Sequence, residues 1–65
     1  MKNLMEGLVD ELNRNRELKA EYDKIPTGFF GASMIQIAIN EGEDAIKSGD
    51  VIKMMAAYHS LKDSE

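Results

Sequence analysis

The sequence predicts an all-α protein, a three-helix antiparallel arrangement with a long first helix, completed by homo-oligomerisation. Three observations lead there. Apolar residues recur at three- and four-residue spacing, and nowhere do they alternate with the period of two that marks a strand. Chain-breaking residues cluster in two places, Ile25-Pro26-Thr27-Gly28 and Lys47-Ser48-Gly49-Asp50, and divide the 65 residues into three segments of helical length. A chain this short buries only about 60% of its unfolded surface. With no cysteine and a single histidine, it has no disulfide or metal to staple its core, which must be very well packed or shared between copies. Residues 1–65 are therefore one helical domain, with helices expected over about 2–24, 28–48 and 50–62.

The first segment carries Met1, Met5, Leu8, Leu12, Asn15, Lys19 and Tyr22 on one seam, widened by Leu4, Val9, Leu18 and Ile25. Asp10 stands four residues before Arg14, a favourable helical pair. The run Asn13-Arg14-Asn15-Arg16 weakens the seam. A helix of about 23 residues is about 35 Å long and outreaches the later segments. Part of its stripe should overhang, so Met1, Leu4, Met5, Leu8 and Leu12 are expected to pack on another protomer.

Pro26 ends the first helix, since it restricts Ile25 and has no N–H to donate. Thr27 is the expected N-cap of the second. That helix has a narrow polar stripe at Ser33, Gln36, Asn40, Glu43, Asp44 and Lys47, and is apolar around most of its remaining girth. Such a helix needs cover on more than one side. Gly31, Ala38 and Gly42 form a line of small residues with Ile35 between them. Together with Met34 they are expected to let another helix approach and so to form part of the oligomer interface. Gly49 suits a left-handed C′ position and Asp50 caps the third helix. Val51, Met54, Met55, Tyr58 and Leu61 share one face of that helix.

Catalysis finds little support. His59 is the lone histidine, and on a helix the adjacent Ser60 points elsewhere, so no nucleophile–base pair forms within one chain. Glu41 and Asp44 share a face but lack the further oxygen ligands a divalent cation needs, and Glu43 pairs with Lys47 in the ordinary way. No enzyme activity, cofactor or metal is expected. No apolar run reaches the ~20 residues of a membrane span. The start, MKNLMEGLVDELNRNR, is too polar for a signal peptide. A net charge of -4 without a basic tract is a poor match to phosphate-led nucleic-acid binding. A cytoplasmic protein with neither membrane nor direct nucleic-acid contacts is expected.

The segment from Lys24 to Ser33 is the densest in information. It sets two glycines, two hydroxyls and two adjacent phenylalanines on a helix N-terminus, where unpaired N–H groups and the helix dipole favour anions. Gly28 and Gly31 would admit a phosphate to the backbone, with Ala32 alongside. Thr27 and Ser33 would donate hydrogen bonds, Lys24 would add charge, and Phe29 or Phe30 would stack on a base. The glycine spacing and the Lys-Ser/Thr ending of a P-loop are missing. The competing interpretation makes Phe29 and Phe30 core anchors and Thr27 only a cap.

The pattern Glu21-Tyr22-x-x-Ile25-Pro26-x-Gly28-x-Phe30-Gly31-Ala32-x-Met34-Ile35, followed by Ser48-Gly49-Asp50 and Met54…Tyr58…Leu61, resembles small helical proteins of unassigned function encoded by bacteriophages and prophages. The resemblance covers about the last 45 residues and carries over no catalytic residue. It implies an accessory protein of the infected bacterium's cytoplasm, with a counter-defence role. One expectation is an oligomer that sequesters a cyclic or modified nucleotide signal at the turn of residues 27–33. The alternatives are an inhibitor that docks an acidic surface (Glu41, Glu43, Asp44, Asp50) on a host defence protein, as anti-CRISPR proteins that imitate DNA do, or a structural adaptor.

Overall fold

Helix formation begins with Asn3, whose side chain accepts a hydrogen bond from the Glu6 N–H at 2.8 Å and so satisfies a first-turn donor. The computed structural model describes residues 2–63, which form α1 (Leu4–Asp23), α2 (Phe29–Ser48) and α3 (Val51–Lys62) with no strand among them. Gly49 takes φ +69°, the left-handed conformation that closes α2. Asp50 then accepts from the N–H groups of Ile52 and Lys53 at 2.9 and 3.3 Å and opens α3. This turn is as the sequence predicts.

The first helix is not the long one. α1 and α2 have 20 residues each and α3 has 12. α1 and α2 run antiparallel, with Tyr22 against Gly31 at one end and Leu12 against Gly42 further along. α3 turns straight back from α2 and runs alongside α1, its Tyr58 ring resting on Gly7. At 1.5 Å per residue α3 is about 18 Å long against about 30 Å for its neighbours, so it covers the N-terminal half of α1 and the C-terminal half of α2 only.

The core is Leu8 and Leu12 from α1, Ile35, Ile39 and Ala45 from α2, and Met54, Ala57 and Leu61 from α3. Four residues expected at an oligomer interface, Leu8, Leu12, Ile35 and Gly42, are thus buried within the chain itself. A Cβ at Gly42 would meet Leu12 Cδ2 at 2.8 Å and Leu61 Cδ1 at 3.1 Å, so this close approach is between the chain's own helices. Leu4 is half-buried against the core, while Met5 is exposed. Met1 lies outside the described residues. At the start of α1, Leu8 is buried and Leu4 half-buried in the three-helix core, and the overhang beyond α3 is at the opposite end.

The polar run in α1 meets the end of α3. Asn15 is fully buried, and its Nδ2 donates to the carbonyls of Glu11 and Leu61 at 2.8 and 3.0 Å. Arg14 Nη2 donates to the Leu61 and Lys62 carbonyls at 2.7 and 3.3 Å. The last carbonyls of a helix lack intrahelical partners, and here a neighbouring helix supplies them. Arg14 also pairs with Glu11 at 2.8 Å, while Asp10, its expected partner, pairs with Lys2. That hydrogen bond, with the Asp10 charge, raises the pKa of the exposed Lys2 ammonium.

Candidate functional site at the start of the second helix

The link between α1 and α2 is a tight reversal. Ile25 N–H donates to the Tyr22 carbonyl at 3.1 Å, and Gly28 N–H donates to the Ile25 carbonyl at 2.9 Å. A Cβ on Gly28 would overlap the Tyr22 carbonyl oxygen, and one on Gly31 would overlap the Tyr22 ring. These glycines therefore let the chain pack on itself, and space for a ligand is not what requires them. Thr27 is not the cap of α2. Gly28 holds that position at φ -86°, ψ 0°, with no side chain bonded to the first-turn N–H groups, because the reversal leaves Thr27 on the exposed outer side.

The two phenylalanines do not anchor the core. Phe29 is 80% exposed and Phe30 76%. Consecutive residues on a helix point about 100° apart, and these two flank α2 on different sides. Phe30 borders a groove of about 530 Å³ that it shares with Tyr22, Gly31, Met34, Ala38, Glu41 and Ser60. Phe29 lies with Lys19, Asp23, Ser33 and Gln36 on the other side. Ala32 is buried at 4% exposure and is out of a ligand's reach, whereas Ser33 is half-buried. Of the residues singled out from the sequence, Lys24, Thr27, Phe29 and Phe30 are exposed at this tip, joined by Ile25.

Charge at the tip is balanced. Lys24 Nζ lies 3.4 Å from the Glu21 carboxylate and Lys19 Nζ 3.1 Å from that of Asp23. The acidic face is partly engaged as well. Glu43 pairs with Arg16 of α1 at 3.3 Å and not with Lys47, and Asp50 serves as a helix cap. His59 is exposed and meets the Tyr58 ring edge-on, 5.8 Å between centroids. Among the described residues no three His, Cys, Asp or Glu side chains gather where they could hold a metal ion, and no helix is long and apolar enough to cross a membrane.

What the tip offers chemically is apolar and aromatic surface on a helical hairpin, next to first-turn N–H groups that the Gly28 cap leaves without a side-chain acceptor. The chain matches no protein-family model, no curated protein and no solved structure.

Proposed function

We propose that the protein is a non-enzymatic, homo-oligomeric binding protein that engages a protein target through the tip of residues 25–33. The observation that carries this reading is the 80% exposure of Phe29 at a tip whose Ile25 is 52% exposed. Aromatic residues, phenylalanine among them, are enriched in protein–protein interfaces, and grouped apolar exposure in a small protein marks an interaction surface. In the setting that the phage resemblance implies, the target is a bacterial defence protein and the outcome is its inhibition. The apolar tip supports this docking mode better than the acidic face does, since Glu43 and Asp50 already have partners within the chain.

A second reading is sequestration of a nucleotide signal, favoured by the uncapped start of α2 beside two exposed rings. The balanced charge at the tip favours it less, because several phosphates call for surplus cations.

Affinity purification from defence-active bacteria, run with wild type, Phe29→Glu and Glu43→Lys, tests the first reading. A defence protein held by wild type and Glu43→Lys but lost with Phe29→Glu is the expected result. Phe29→Glu removes no core and adds a charge favourable at a helix start, so folding is not in question. A melting-temperature rise with cyclic di- or trinucleotides or ADP-ribose derivatives, abolished by Phe29→Ala, would replace the first reading with the second.

A further inference from the structure

The shortness of α3 leaves a vacant place in the bundle. Beyond Ser60 the groove continues along the path α3 would have taken, past Ala38, Met34 and Gly31 to Phe30 and Tyr22. Phe30, Met34 and Ile37 are 76%, 54% and 53% exposed. They form one row of exposed apolar side chains along α2 beside half-buried Tyr22, a contiguous patch of the kind that marks an interaction site.

We propose that a second copy of this chain fills the groove, its α2 antiparallel to the first, so that the exposed halves of two α1–α2 hairpins close into a four-helix bundle. This deepens the oligomer element of the proposed function and rests on it. Phe30, Met34, Ile37 and Glu41 stand at intervals of four, three and four residues, the spacing of a helix–helix seam. The seam is self-complementary under a twofold axis, with Met34 of each copy against Ile37 of the other. Charge agrees with that register. Glu41, at one end of the groove, forms no ion pair among the described residues. Lys24 lies at the tip beyond the other end, its ammonium paired, among the described residues, with exposed Glu21. Reversal of one copy brings Lys24 of each chain to Glu41 of the other and leaves Phe29 outside the seam.

Sedimentation equilibrium at about 100 μM, where a micromolar dimer is populated, should give twice the 7.3 kDa chain mass. Ile37→Glu should give a monomer of unchanged helical circular dichroism, since Ile37 lies outside the core. Lys24→Glu should raise the dimer dissociation constant about tenfold through two lost ion pairs, and Lys24→Glu with Glu41→Lys should restore it. A wild-type monomer overturns both the dimer and the oligomeric reading. A dimer indifferent to Ile37→Glu overturns only the groove as its seat, and a double variant no tighter than Lys24→Glu alone overturns the antiparallel register.

Discussion

Asn15 has no solvent exposure, its Nδ2 holds two carbonyls, and its Oδ1 has no partner. In the sequence it interrupts a hydrophobic seam and looks like a weakness. Its purpose depends on the end of α3, 46 residues away, which no local pattern encodes. Asn15→Asp should lower stability at neutral pH by about 3 kcal/mol, because the donor is lost and a carboxylate faces carbonyl oxygens. Burial raises the pKa of that carboxyl in the folded state, so stability lost at neutral pH should return as pH falls through the folded value. Urea midpoints at pH 7 and pH 4 would show this. Gly28 follows the same logic. Glycine to alanine at a helix start normally costs little, but here the new Cβ meets the Tyr22 carbonyl, so Gly28→Ala should destabilise by about 1–3 kcal/mol. The collision also makes an acidic side chain at Gly28 a poor probe of ligand binding. Gly28, and not Thr27, caps α2, an offset of one residue that the spacing of the turn residues alone does not reveal.

The elements themselves were largely legible, because their signals are short-range. Pro26 ends one helix, while Gly49 and Asp50 end and begin the next two through dihedral and capping preferences carried by those residues. A Cβ at Gly49 would meet nothing within 4 Å, and the residue sits at φ +69°, so a substitution there tests backbone conformation alone. Gly49→Val should lower the urea midpoint by an amount equivalent to about 1–2 kcal/mol, and Gly49→Asn by less. What the periodicity misplaced was coverage. Phe29 and Phe30 read either as ligand-stacking rings or as core anchors, and Met34 as an interface residue; all three are exposed, as is Ile37, because α3 ends too early to cover them. Its length was countable in the sequence. The direction of the overhang was not, since it follows from α3 lying alongside the first half of α1.

At the scale of the molecule, one end has three helices around a filled core and the other has two with bare apolar flanks. If two such ends close on each other, the melting temperature should rise with protein concentration. Ile37→Glu should abolish that dependence while leaving the dilute-limit value nearly unchanged, as scanning calorimetry over a hundredfold dilution would record. The three-helix end and its core call for no second copy, which is why composition and length could suggest self-association without locating it.

The bonds from Arg14 and Asn15 to the end of α3 also mark a boundary between a triply packed end and a doubly packed one. Behind that clamp the amides of α1, α2 and α3 should behave as one cooperative unit, exchanging with deuterium only when the whole unit opens. Ahead of it, the tip of the hairpin around Tyr22 and Gly31 is covered by a single layer and can open on its own. In dilute protein its amides should exchange first, and closure against a second hairpin should slow them selectively. Hydrogen exchange at two concentrations would therefore map the boundary of the clamp and show whether the tip becomes ordered as the copies meet.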